Sequence, residues 1–150
     1  MEEKRLFILE DDANILYGLE AQFTADGYEV ETSEGEEDLE DVLQKLRDFQ
    51  PAYFILDLIL PKLDGFEIIK KMKEDDELSE VQIFIFTDIS DEDSRQRSLK
   101  LGADYIFFKD EFDTHEFSEK VKKIIANQGK VATREKSAEE DEEDEDMGLD

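Results

Sequence analysis

Three carboxylates in a row, Glu10, Asp11 and Asp12, follow the apolar run Leu6–Leu9. Another, Asp57, comes directly after Tyr53-Phe54-Ile55-Leu56. A hydroxyl, Thr87, follows Val81–Phe86, and an ammonium, Lys109, follows Tyr105–Phe108. Carboxylates gathered in one place repel one another and need a cation. With oxygen ligands and no His or Cys among them, the ion they suit is a hard one such as Mg2+. A metal-bound carboxylate such as Asp57 can attack a phosphoryl donor and form an acyl phosphate. Lys109 and the metal would then share the charge of the phosphoryl oxygens, and Thr87 could hydrogen-bond one of them. Any one of these residues alone reads as a cap or a turn. Their recurrence after successive apolar runs is what points to chemistry.

That chemistry requires elements that bring the four places together. The runs Leu6–Leu9, Tyr53–Leu60, Val81–Phe86 and Tyr105–Phe108 are rich in Ile, Leu and Phe without clean polar alternation. Strands buried on both faces read this way. Tyr28–Thr32 alternates and is expected at a sheet edge. Between the strands, helical spacing links Ile15, Leu16, Leu19 and Phe23, then Leu39, Val42, Leu43 and Leu46. Ile68, Ile69 and Met72 mark a third helix, and Phe117, Val121, Ile124 and Ile125 mark a fifth. Glu36, Glu37 and Asp38 open the second, where negative charge suits the positive end of the dipole. The fourth, Asp91–Gly102, carries only Leu99 and Leu101 as large apolar residues, so it is expected to be the most mobile.

Turn residues agree: Pro51 and Pro61 bracket the third strand, and Gly102 is placed to close the fourth helix. Five strands alternating with five helices predict right-handed crossovers and an α/β, doubly wound parallel sheet. The expected form is flavodoxin-like, (βα)5, with strand order 2-1-3-4-5. Ligands in such folds bind at the carboxyl ends of the strands, where all the candidate residues fall.

Composition limits the partners. The 150 residues carry a net charge of −26 and no cysteine. Direct nucleic-acid binding needs clustered Lys and Arg, and anionic membrane surfaces are disfavoured for the same reason. A disulfide or thiolate metal site is impossible. Leu6–Leu9 is too short for a signal peptide or a membrane span, so a cytoplasmic protein is expected. The composition divides the chain into a domain at 1–129 and an acidic tail at 130–150, which holds the eight consecutive carboxylates Glu139–Asp146. Such a block repels itself and has no apolar face, so disorder is expected. It is expected to serve solubility, or else docking or autoinhibition. His115, the only histidine, is expected to face solvent, and Phe84, Phe86, Phe107 and Phe108 to fill the core.

The segments Leu6-Phe7-Ile8-Leu9-Glu10-Asp11-Asp12, Pro51-Ala52-Tyr53-Phe54-Ile55-Leu56-Asp57-Leu58-Ile59-Leu60-Pro61, Leu63-Asp64-Gly65, and Leu101-Gly102-Ala103-Asp104 with Lys109 resemble bacterial response regulator receiver domains. The resemblance covers roughly residues 4–127. It implies that Asp57 is the phosphoacceptor and that Glu10 and Asp11 hold Mg2+, with Asp11 the more direct ligand. It also implies that Asp57 and the backbone carbonyl of Ile59 complete the metal site, that Thr87 is the switch hydroxyl, and that Lys109 is the conserved-type lysine. Asp12 is left to cap the first helix. The implied function is a single-domain switch, not an enzyme. It would be phosphorylated by a histidine kinase or phosphotransfer protein and read by a downstream protein. The face formed by residues 91–127 would dock a partner or form a weak dimer. No output domain is expected after residue 129.

Three positions depart from the family pattern. Asp88 follows Thr87, where a small residue is usual. Ile106 stands where an aromatic switch residue is usual, and Tyr105, one residue earlier, points to the opposite face. Asp110 replaces a common proline, so a cis bond there is not expected. Thr87 is expected to repack the 91–102 helix without a coupled aromatic. Ile59 and Ile89, which cannot hydrogen-bond water, predict slow loss of the phosphoryl group. The competing reading is a phosphorylation-independent pseudo-receiver interaction module, which Asp88, Ile106 and Asp110 favour. An Asp-nucleophile phosphatase would carry a second Asp two residues after the nucleophile, and Ile59 stands there instead.

Overall fold

The computed structural model describes the backbone of residues 2–134 and the side chains of residues 4–128. The elements are β1 (Glu2–Leu9), α1 (Ala13–Ala25), β2 (Glu29–Ser33), α2 (Leu39–Phe49) and β3 (Pro51–Leu56), followed by α3 (Gly65–Lys73), β4 (Gln82–Thr87), α4 (Glu92–Leu101), β5 (Tyr105–Phe108) and α5 (Thr114–Arg134). The strands form one sheet in the order β2-β1-β3-β4-β5, and each neighbouring pair is parallel. This is the expected doubly wound arrangement, with β2 at an edge. The chain divides into two units with the boundary after Ser118, inside α5.

Within the first unit the strands carry apolar side chains on both faces because both faces are covered. Phe7, Leu9, Phe54, Leu56, Ile83 and Ile85 belong to one core cluster with Val42, Leu43 and Leu46 of α2 and Ile68, Ile69 and Met72 of α3. Residues one register step away, Leu6, Ile8, Ile55 and Phe84, are also buried, as are Leu16, Leu19 and Phe23 of α1. Along the amino-terminal half of the sheet a file of rings runs from Phe23 through Tyr28, Tyr53 and Phe84 to Tyr105, with neighbouring centroids 5.2 to 6.5 Å apart.

The helix starts share one device. Asp12, Asp38, Asp64 and Asp91 are the N-caps of α1 to α4, and each side chain accepts from a backbone N–H of the first turn. Each cap is worth about 1 kcal/mol, and its charge also suits the dipole. The helices differ in anchorage. α3 buries Phe66, Ile68, Ile69 and Met72, at roughly 1.5–3 kcal/mol for each large side chain. α4 buries only Ser98, so its hold on the body is much weaker, as expected from its sequence. Gly102 closes α4 at φ 124°, and a Cβ there would lie 2.6 Å from Lys73 Cε.

Several boundaries differ from those expected. The apolar run Tyr53–Leu60 is not all strand: β3 starts at Pro51, tolerated as a first strand residue, and ends at Leu56. Leu58 and Leu60 enter the core from the following loop. α2 starts at Leu39, so Glu36 and Glu37 precede it, and the acidic residues of its first turn are Glu40 and Asp41. Glu37 instead pairs with Lys45 and accepts from Ser33, while Glu36 pairs with Lys62. α5 runs to Arg134, past the division placed at 129, and Lys122 pairs with Glu119 within its second part. The acidic run Glu139–Asp146 lies outside the described residues.

Candidate functional site

The parallel ladder continues one residue past the strand ends and sets the orientation of the site. Asp57 N–H donates to Leu9 O at 3.1 Å, Glu10 N–H to Ser33 O at 3.1 Å, and Lys109 N–H to Thr87 O at 2.8 Å. Glu10, Asp57 and Lys109 thus stand at the carboxyl edge of β1, β3 and β5, with β4 and its Thr87 between the last two. Asp57 is 4% exposed and Glu10 2% exposed.

Every oxygen of these two carboxylates has a donor. Asp57 Oδ1 accepts from Ile59 N–H at 3.1 Å and Oδ2 from Lys109 Nζ at 2.8 Å. Glu10 Oε1 lies 3.0 Å from the same Nζ, and Oε2 accepts from Asp12 N–H at 3.0 Å. One ammonium therefore bridges two buried carboxylates. Burial raises the Glu10 carboxyl to about 7, helped by the charge of Asp57 and opposed by the Asp12 hydrogen bond and Lys109. Burial alone would lower the Lys109 ammonium, but the hydrogen bond and charge of Asp57, then those of Glu10, hold it above the ordinary lysine value.

The structure places the remaining expected residues as follows. Thr87 is fully buried at the end of β4; its Oγ1 accepts from Ile89 N–H at 3.3 Å, which leaves its own proton to donate. Asp11 is exposed, and one oxygen each from Glu10, Asp11 and Asp57 lie within 4.8 Å of one another. Three convergent hard oxygens with no nitrogen or sulfur donor fit a Mg2+ ion. Asp12 faces away into its capping role, with Oδ1 accepting from Asn14 and Ile15 N–H. Ile59 is 52% exposed, and its backbone is held by Asp57 and by an antiparallel bridge to Asp64. His115 is exposed, with Nδ1 3.2 Å from Gln22 Oε1.

The departing positions are resolved in physical terms. Asp88 is exposed, so its charge stays solvated outside the Glu10, Asp11 and Asp57 cluster. Ile106 pairs in register with Ile85 and packs on the core cluster of that face. Tyr105 stacks on Phe84 at 5.2 Å on the other face and so does not stand in for an aromatic at 106. Among the described residues no peptide bond is cis.

Two supports of the site escaped sequence reasoning. One is the Glu10–Lys109 contact, since nothing in the spacing shows which carboxylates an ammonium will bridge. The other is Gly65, where a Cβ would lie 2.6 Å from Leu58 Cα. The loop from Asp57 to α3 folds tightly on itself there, with Gly65 N–H donating to Leu58 O. The adjacent Asp64, which caps α3, was the signal available.

The family model of the response regulator receiver domain matches residues 6–122. A probable transcriptional regulator ycf27 of Porphyridium aerugineum is 28% identical over 134 residues, covering 89% of this chain and 52% of its own. The alkaline phosphatase synthesis transcriptional regulatory protein PhoP of Bacillus subtilis is 32% identical over 123 residues, 81% of this chain and 48% of its own. The chain thus spans about half the length of the curated relatives it matches. A receiver domain protein (CheY-like) from Methanospirillum hungatei superposes with a TM-score of 0.71 at 25% identity, covering 85% of this chain and 97% of that one. A putative response regulator from Chloroflexus aurantiacus gives 0.69 at 26% identity, covering 83% and 99%.

Proposed function

Because the chain belongs to the response regulator receiver domain family, we propose that it is a phosphorylation-controlled signalling module whose acceptor is Asp57. The observation that carries this reading is the buried Asp57 carboxylate, held 2.8 Å from Lys109 Nζ beside Glu10 and Asp11. Lys109 keeps Asp57 oriented, and Ile59 N–H fixes its other oxygen. The donor is the phosphohistidine of a histidine kinase or phosphotransfer protein. An Asp57 oxygen bonds to phosphorus as the P–N bond breaks, and the departing imidazole nitrogen keeps the electron pair and takes a proton. Glu10, Asp11, Asp57 and the Ile59 carbonyl would hold a Mg2+ ion, which would supply positive charge against the phosphoryl oxygens.

Lys109 meets the same charge from the β5 side, and Thr87 donates its free hydroxyl proton. A Thr87 shift then acts on the weakly anchored α4 without a coupled aromatic, since Ile106 has no hydroxyl and is packed on the core side. A switch read by a downstream protein is the form that fits best. Among the described residues no helix is long and apolar enough to cross a membrane. The pseudo-receiver reading rests on Asp88, Ile106 and Asp110, but the solvated position of Asp88 weakens it.

The test is intact-protein mass after incubation with Mg2+ and acetyl phosphate. One added phosphoryl group, absent in Asp57→Ala, is expected. A folded protein that gains none would refute the assignment and favour the phosphorylation-independent module.

A further inference from the structure

In so acidic a chain, basic side chains find carboxylates easily. Arg5 meets Glu29, Lys45 meets Glu37, Arg47 meets Glu40 and Asp75, Lys62 meets Glu36, and Arg95 meets Glu92. Lys70 and Lys71 of α3 and Arg97 and Lys100 of α4 are the contrast: exposed, and without an ion pair among the described residues. They gather around one groove between α3 and α4, of about 440 Å³, which Lys70, Lys71 and Arg97 line directly. Lys100 follows one turn after Arg97 on the same helix face.

The groove also has an apolar floor. Phe66 and Leu101 line it, and the Arg97 guanidinium sits 4.1 Å from the Phe66 ring centroid. Two carboxylates, Asp64 and Glu67, share its rim; Asp64 is oriented by the hydrogen bond it accepts from Phe66 N–H, and both oppose the three cations of the lining. The stem of Lys73 packs against Gly102 and joins the two helices at their carboxyl ends. One wall, α4, is the least anchored helix of the first unit, so the groove can adjust to an occupant.

We propose that the α3–α4 groove docks an acidic peptide segment of a partner protein, with an apolar or aromatic residue set between its carboxylates. The carboxylates take the unpaired ammoniums and the Arg97 guanidinium, and the apolar residue rests on Leu101 beside the Arg97–Phe66 stack. Charge complementarity selects a short peptide over a nucleic acid, because a long polyanion would meet the acidic surface beyond the patch. This surface is built from residues other than those assigned to phosphoryl transfer and stands independently of that reading.

The probe is a fluorescein-labelled synthetic peptide of alternating Asp and Glu around a central Phe, titrated by fluorescence anisotropy against the full chain. Saturable, salt-sensitive binding is expected, weakened at least about tenfold by Lys70→Glu/Lys71→Glu. Arg97→Ala is expected to weaken it too, and a Gln/Asn version of the peptide should not bind. No binding would overturn the proposal. So would an equal loss in the control Lys120→Glu/Lys123→Glu, which would mean diffuse attraction only. Binding that tightens about tenfold or more on deletion of residues 137–150 would assign the groove to the chain's own acidic run instead. Concentration-dependent dimerisation abolished by Lys70→Glu/Lys71→Glu would assign it to a second copy. Phosphorylation of that variant by acetyl phosphate should be unchanged, which separates failure here from failure of the Asp57 assignment.

Discussion

Replacing Lys109 with Met keeps much of the side chain's bulk but removes the ammonium shared by Asp57 and Glu10. The two contacts are 2.8 and 3.0 Å long, with the lysine side chain 11% exposed. At an effective dielectric of about 20, each is a gross attraction of about 6 kcal/mol. Desolvation of the ions offsets most of it, and removing one partner of such a buried pair costs about 3–5 kcal/mol net. The lower end applies here, because Glu10, already raised to about 7, can escape by taking a proton. With a urea slope of about 2 kcal/mol per M, the midpoint of metal-free Lys109→Met should fall by about 1.5 M.

The pH dependence carries a definite sign. A carboxyl whose folded value is raised contributes stability that is present below about 4.5 and is lost as pH rises through about 7. Without Lys109 the ionised form is costlier still, so the deficit relative to the parent should widen from about pH 5.5 to pH 8. Adding Mg2+ should recover more stability in the variant than in the parent. Urea titrations followed by circular dichroism, with and without Mg2+, test all three points. A variant whose midpoint matches the parent at both pH values would show that the buried carboxylates do not depend on this ammonium.

Gly65→Ala should cost about 2 kcal/mol or more, seen as a lower melting temperature, because its Cβ would meet Leu58 backbone at 2.6 Å. Asp12→Ala should cost about 1 kcal/mol in urea without abolishing phosphorylation by acetyl phosphate, since its oxygen serves Asn14 and Ile15 N–H. Ile59→Asn should shorten the half-life of phosphorylated Asp57 several-fold or so by offering attacking water a hydrogen bond; an unchanged half-life would count against slow hydrolysis through Ile59.

The sheet order and the acidic, hydroxyl and ammonium residues were readable because a parallel sheet converts strand ends into a shared edge. Periodicity located Ile68, Ile69 and Met72, and the same logic exposed α4 as poorly anchored. It failed at Leu58 and Leu60, because an apolar residue that enters the core from a loop reads like one on a strand. It also missed the start of β1, where Glu2–Arg5 are polar yet extend the strand, since ladder hydrogen bonds do not depend on side-chain hydropathy. The Lys109 bridge and the α3–α4 groove were invisible for another reason. Both join residues distant in sequence, and a charge says nothing about which neighbours folding will supply.

The chain has four tyrosines and no tryptophan, so its near-ultraviolet signal comes chiefly from tyrosine. Tyr28, Tyr53 and Tyr105 sit in the file of rings across the amino-terminal half of the sheet, while Tyr17 is 56% exposed on α1. Rigid, coupled rings give the strong circular dichroism bands, and a lone exposed ring, held only by the bond its hydroxyl donates to Glu34, gives less. The protein's own optical probe is thus mounted at the opposite end of the strands from Asp57. Chemistry confined to the acyl phosphate would leave that spectrum unchanged. A change in tyrosine ellipticity on phosphorylation would therefore record strain transmitted along the strands.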